Sequence, residues 1–214
     1  MAKDIAIFVE SSPKGTDRKF LEELIQKRIS QALLERIKWE HSKDGSVKGV
    51  IQELSTRMKD SEYKGGNIKT VLIIVDADEK IEQRFQDIQQ ALEERQDKCF
   101  SLPQQLGVIA QDKQIKVGVF LFPDNQKSGS LETLCLKALN QKQREAKLDC
   151  VEQYFACLRS KSIDPQTENN AAKAKFRILL ATPDPDRYVK SIVTHLDYSS
   201  SEFDLLVNFL KQVG

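Results

Sequence analysis

Short apolar runs rich in β-branched residues alternate with longer segments in which apolar positions recur every three to four residues. Ile5-Ala6-Ile7-Phe8-Val9, Val71-Leu72-Ile73-Ile74-Val75 and Val117-Gly118-Val119-Phe120-Leu121-Phe122 are continuous apolar runs, the pattern of strands buried on both faces of a parallel sheet. They predict strands over 4–9, 69–75 and 115–122. Ile37-Lys38-Trp39-Glu40-His41 alternates and adds a short second strand, and 106–110 reads as a minor one. Between them, Phe20, Leu21, Leu24, Ile25, Ile29, Ala32 and Leu33 predict one long helix over 17–35, with Thr16 or Asp17 as its cap. Val47, Val50, Ile51, Leu54 and Met58 predict a helix over 46–59, and Phe85, Ile88, Ala91 and Leu92 another over 80–97. Leu131 opens a further helix that runs to Asn140.

Strand and helix in strict alternation predict an α/β fold, a mostly parallel central sheet with right-handed crossovers and helices on both faces. After Gln141 the character changes to helical segments over 145–160, 170–182, 184–193 and 202–212, punctuated by Pro165, Pro183 and Pro185. The chain is therefore read as an α/β domain over 1–140 with a helical C-terminal extension over 141–214 packed on it as one structural unit. Ser162 to Asn170 is its most linker-like stretch.

Charge and cysteine usage narrow the function classes. With 33 basic and 32 acidic residues in 214, the formal charge is +1, which argues against a strongly basic nucleic-acid binder while leaving room for a local basic face. No apolar run approaches a membrane span, and Met1-Ala2-Lys3-Asp4 leads straight into a strand without a signal-peptide core, so a cytoplasmic location is expected. Cys99, Cys135, Cys150 and Cys157 form no CxxC pair, and His41 and His195 stand apart, which disfavours zinc and reads as buried small hydrophobes in a reducing compartment.

Acidic residues stand where the strong apolar runs stop: Glu10 after the first, Asp76-Ala77-Asp78 after the third, and Asp124 after the last, with Glu132 eight residues on. In open α/β sheets ligands bind at the carboxyl ends of strands, so these acids are expected on one sheet edge. Carboxylates gathered that closely repel unless a hard dication such as Mg2+ joins them. In an extended segment Asp76 and Asp78 would share one side, with Ala77 opposite. Asp124 and Glu132 can complete a second ion site about 3.5–4 Å from the first, as two-metal phosphoryl transfer requires. Each acid also has a structural alternative: Asp78 can cap the next helix, Asp124 can hold an Asx turn, and Glu132 can favour a helix dipole.

A Glu ending the first strand followed by Asp-x-Asp ending a later one resembles the Toprim domain, the metal-binding module of type IA and II topoisomerases, bacterial primases, RecR-type repair proteins and OLD nucleases. Ile74-Val75-Asp76-Ala77-Asp78 together with Phe122-Pro123-Asp124-Asn125 and Gly129-Ser130-Leu131-Glu132 is similar to a small Toprim-like family of bacteria and archaea. The likeness spans residues 4–140 and continues weakly into the tail. It implies Glu10 as general acid or base, Asp76 and Asp78 as ligands of Mg2+ (Mn2+ also suits them), Asp124 and Glu132 as further metal ligands, and phosphodiester hydrolysis of nucleic acid. Two rivals are a non-catalytic module binding nucleic acid or protein, and metal-dependent phosphotransfer on a nucleotide. Ser11 stands where the Toprim Glu is followed by Gly, and neither a topoisomerase tyrosine context nor a primase zinc module is present.

A phosphate-handling site also needs cations. Lys80 follows Asp78 by two residues, Lys127 lies between Asp124 and Glu132, and Lys14 and Arg18 follow Glu10. Lys80 and Lys127 are expected to contact phosphate, against the plainer alternative of loop solubility. Lys173, Lys175, Arg187 and Lys190 read as scattered charge, and the aromatics form no stacking platform.

Overall fold

A computed structural model describes residues 2–13, 15–94, 100–139, 141–163, 167–181 and 196–213. A five-stranded sheet in the order β2-β1-β3-β5-β4 runs through it. β1 (Ile5–Val9), β2 (Ile37–His41), β3 (Thr70–Asp76) and β5 (Ile115–Phe122) are mutually parallel where they pair, and β4 (Ile109–Asp112) closes the edge antiparallel to β5. The expected α/β architecture is what the chain adopts.

Period-two alternation divides the strands between two hydrophobic layers. Ile5, Ile7 and Val9 of β1, Leu72 and Ile74 of β3, and Phe120 and Phe122 of β5 face one layer. It is completed by α1 (Thr16–Arg28), α6 (Leu131–Lys137) and the C-terminal helix α9 (Asp204–Lys211), which follows a 3-10 turn at Ser201–Phe203. Ala6, Phe8, Val71, Ile73, Val75, Val117, Val119 and Leu121 face the other, under α3 (Val47–Arg57), α4 (Ser61–Lys64) and α5 (Ile81–Glu93). Because α1 leaves β1 on one side and α5 leaves β3 on the other, the crevice between these two adjacent strands is the sheet's topological switch point. Asp76 ends β3, and Glu10 directly follows β1.

Three expectations need correction. The predicted helix over 17–35 is two helices, α1 and α2 (Gln31–Arg36): the break falls at Ile29–Ser30, and Ser30 Oγ accepts the Leu33 N–H at 3.1 Å to start the second. The apolar spacing ran unbroken across this joint, and the cap chemistry of Ser30 decided it. The minor strand sits at 109–112 rather than 106–110. Asp78 does not continue the extended segment. β3 stops at Asp76, and Asp78 takes a left-handed conformation, φ 54°, a region that Asp tolerates better than most residues.

Two helices of the extension pack as α7 (Gln141–Ser160) and α8 (Glu168–Ala181), joined by Val151, Phe155 and Leu179. Phe176, 1% exposed, anchors α8 into the first hydrophobic layer. The predicted helix over 184–193, Cys99, Lys14, Arg187, Lys190 and His195 lie outside the described residues. Among the described residues no helix is long and apolar enough to cross a membrane.

Candidate functional site

The site is built at the carboxyl ends of β1 and β3. Glu10 Oε1 accepts the backbone N–H of Asp76 at 3.1 Å, so the two strand-end acids meet across the switch point. Asp76 Oδ1 accepts the backbone N–H of Leu131, the first residue of α6, at 3.0 Å. Its Oδ2 lies 3.2 Å from the Lys173 ammonium. Asp78 is fixed by its own backbone: its N–H donates to Gly129 O at 2.8 Å, and Gly129 N–H donates back to Asp78 O at 2.7 Å. Gly129 needs both its φ of 141° and its missing side chain there, since a Cβ would stand 2.9 Å from Thr133 Oγ1. The Asp78 carboxylate pairs with Arg84 of α5, accepts the Asn169 Nδ2–H at 2.9 Å, and lies 3.7 Å from Lys173 Nζ.

Burial and mutual repulsion move these acids away from the usual carboxylate range. Burial first and the Asp76 charge second push Glu10 up to about 8, against the opposing Asp76 N–H and Arg84. Burial pushes Asp76 up to about 7; Lys173 opposes this, and the charges of Asp17 and Glu132 add to it. Asp17, in the first turn of α1, is raised by burial and by Glu132, while its Oδ2 accepts the Ser11 N–H at 3.2 Å. Burial lowers the Lys173 ammonium, but Asp76 and Glu132 outweigh it and raise it on balance. Buried Cys135 is raised well above a thiol's ordinary value by burial and the same acids, which makes it an inert core residue.

The segment after Glu10 shows how the chain does without the expected Gly. Ser11 O accepts from His41 Nδ1 at 2.9 Å, Gly15 N–H donates to Ser12 O at 2.7 Å, and a Cβ on Gly15 would stand 2.4 Å from Ser11 Cβ. The small residue is therefore supplied at Gly15, which lets the loop fold back over Ser11.

Of the expected ligands, Asp76 and Asp78 come together beside the expected acid–base residue Glu10, and Glu132 lies close enough for its charge to act on Asp17, Asp76 and Lys173. Asp124 is used by its turn: its Oδ1 accepts the N–H groups of Gln126 at 3.0 Å and Lys127 at 2.8 Å, and its Oδ2 faces Lys137 at 3.8 Å. Lys127 is exposed and gives Asp124 its backbone N–H. Lys80 is exposed too, but lines a cavity of about 460 Å³ together with Asp78, Arg84, Asn169 and Lys173. Arg18 pairs with Glu22 at 2.7 Å and covers the Trp39 ring.

Four residues at the site were not legible as functional beforehand: Asp17, Arg84, Asn169 and Lys173. Asn169, Lys173 and Phe176 follow one another at spacings of four and three, so one face of α8 carries two polar groups to the acids and an anchor to the core. That spacing was the available signal.

The atoms here that can ligate a metal are oxygens, the donors that a hard dication prefers, and the Lys173 and Arg84 cations stand among them. Among the described residues no group of three or more His, Cys, Asp or Glu side chains is arranged to hold a metal ion. Two carboxylates, Asp76 and Asp78, stand at 3.2 and 3.7 Å from the Lys173 ammonium, and two carboxylates, with water and substrate for the rest of the shell, is a number that Mg2+ commonly accepts. The acids do not form the preassembled two-ion cage expected from Asp124 and Glu132. Beside Asp78, Asn169 Oδ1 is buried without a hydrogen-bond partner.

Comparison with curated proteins and with solved structures returned no match. A family model matches residues 6–214, nearly the whole chain, and on that ground the chain belongs to the family described as Protein of unknown function (DUF3226).

Proposed function

We propose that this protein is a Mg2+-dependent phosphodiesterase acting on nucleic acid, with a Toprim-type site of Glu10, Asp76 and Asp78. The observation that carries the reading is the convergence of these three acids at the switch point, with the Lys173 ammonium seated between the two aspartates where a dication would bind. When bound, the ion would neutralise the phosphate and acidify the attacking water. Asp76 and Asp78 hold its place from two directions, one off the end of β3 and one off the left-handed residue that follows. Glu10, with a pKa of about 8, keeps or gives up its proton near neutral pH, as a group that moves a proton between water and leaving oxygen must. Lys80 and Arg84 line the adjoining cavity on the side from which a phosphate would approach Asp78.

The size of that cavity favours a second reading, phosphotransfer on a single nucleotide, because about 460 Å³ lies within the range of small-molecule sites. Incubation with single- and double-stranded DNA and RNA and with nucleoside phosphates, in Mg2+ or Mn2+, separates the two. Cleavage of polymer by the wild type, absent in Asp76→Asn and in Glu10→Gln, supports the first. Turnover of nucleotides alone supports the second. Retention of cleavage in Asp76→Asn sinks both.

A further inference from the structure

The Lys173 ammonium lies 3.2 Å from Asp76 Oδ2 and 3.7 Å from Asp78 Oδ1, so the place between the aspartates already holds a positive charge supplied by the chain. That charge is on a flexible four-carbon stem, whereas the acids are fixed by backbone hydrogen bonds. Next to it opens the cavity lined by Lys80, Arg84 and Lys173 as cations and by Asp78, Glu79 and Asp87 as acids, a formally neutral lining. Asp76 adds one negative charge at its edge.

We propose that α8 carries an exchangeable counter-ion and a phosphate subsite. When a dication takes Asp76 and Asp78, Lys173 is released into the cavity and, with Lys80 and Arg84, binds an oxyanion of a phosphodiester, so that dication and phosphate bind as a coupled pair. The proposal rests on the ion site of the preceding subsection and adds to it the anion subsite, its residues and its order of filling.

Charge bookkeeping supports the pairing. With Asp76 the cavity carries three cations against four acids, and Glu10, Asp17 and Glu132 stand behind them, so a dication meets a net negative site and its binding frees the cations for a phosphate. Asn169 gives an independent sign of a ligand here. Its Nδ2 donates to Asp78 Oδ1 at 2.9 Å, while its Oδ1 has no partner although the residue is only 7% exposed. The amide cannot be turned around, because its carbonyl would then face the Asp78 carboxylate. A buried lone acceptor costs free energy unless something donates to it, and a hydrated dication or a substrate hydroxyl would.

The test uses the full chain, with circular dichroism to confirm that each variant is folded. Mg2+ binding is measured by titration calorimetry and inorganic phosphate binding by phosphorus NMR, in wild type, Lys173→Ala, Lys173→Met and Asp76→Asn. Loss of a competing half-buried ion pair predicts that both Lys173 variants bind Mg2+ about tenfold more tightly. The same variants bind phosphate, in the presence of Mg2+, about tenfold more weakly. A merely structural lysine would weaken both. In wild type, phosphate must tighten Mg2+ by the same factor that Mg2+ tightens phosphate. Mg2+ binding that Asp76→Asn abolishes but that neither phosphate nor Lys173 removal strengthens overturns the exchange and leaves the ion site standing. Mg2+ binding that is absent from wild type and the Lys173 variants, or that Asp76→Asn leaves intact, overturns the ion site and this inference together.

Discussion

Glu10 Oε1 and the backbone N–H of Asp76 meet at 3.1 Å, a side chain from the end of one strand closed onto the main chain at the end of its neighbour. The bond holds Glu10 in a buried place beside Asp76: burial first and the Asp76 charge second raise Glu10 to about 8, while burial first, with the charges of Asp17 and Glu132, raises Asp76 to about 7 against Lys173. Both acids keep protons in the folded state at pH values where the unfolded chain has lost them. Stability from this pair is thus fully present below the ordinary carboxylate pKa, near 4, and declines as pH rises toward 8. In metal-free buffer, thermal melts from pH 5 to pH 9 should show that decline, and Glu10→Gln should flatten it. A gain of about 1–2 kcal/mol at pH 9 corresponds to a few °C in Tm for a chain of this size. A variant whose profile tracks the wild type would show that Glu10 is not buried against a charged Asp76.

Added Mg2+ should reverse the same trend. A dication binds the carboxylate forms and releases their protons, so its affinity rises with pH through the range in which Asp76 and Glu10 titrate. At an ion concentration one hundred times Kd the stabilisation is about 2.7 kcal/mol. The Mg2+-induced rise in Tm should therefore be larger at pH 8.5 than at pH 6, disappear in Asp76→Asn, and be undone by a chelator. Equal shifts at both pH values would show that the ion binds elsewhere.

Much of this could be read in the residues before any coordinates. The continuous apolar runs of β1, β3 and β5 announced a parallel sheet, and sheet topology carried Glu10 and Asp76 to one edge. What the pattern could not give was local backbone geometry and long-range pairing. Nothing in the spacing of Asp76 and Asp78 shows that Asp78 turns left-handed onto Gly129. Asp124 and Glu132 looked alike as acids after a strand, yet the two N–H groups of its own turn claim one of them. Lys173 lies ninety-seven residues from Asp76 in sequence, on a helix whose docking is decided by Phe176, so its role emerges only with the fold.

Away from the site, Arg57 holds a buried acidic pair. Its Nε lies 3.0 Å from Glu40 and 2.9 Å from Glu53, whose side chains are 4% and 7% exposed, and Tyr63 OH donates to Glu40 at 3.2 Å. Removing Arg57 leaves Glu40 with Lys38 Nζ at 3.3 Å and Glu53 with only the exposed Lys43 at 3.8 Å; breaking a fully buried pair costs about 3–5 kcal/mol. Arg57 is itself one-third exposed, so water enters more readily, and Arg57→Ala should cost about 2–3 kcal/mol. Glu40→Gln, which keeps an acceptor for Tyr63, should cost less, and urea midpoints of the two variants check the order.

Phe209 tests whether the C-terminal segment is one unit with the sheet. Its ring is 1% exposed and packs 5.5 Å from Phe120 by ring centroids. Gly118 on β5 is a glycine because a Cβ there would stand 2.9 Å from that ring. The ring therefore occupies a notch cut into the face of β5, and α9 serves as part of the core layer that also holds α1 and α6. Phe209→Ala should cost about 3–5 kcal/mol, the range for emptying a buried aromatic site. Gly118→Ala should cost about 1–3 kcal/mol by overpacking the same contact. Both variants should still unfold in a single transition by fluorescence and circular dichroism alike, at a lower urea midpoint. A separate early transition in Phe209→Ala, with the rest of the chain melting as wild type, would show that α9 is an appendage and not a wall of the core.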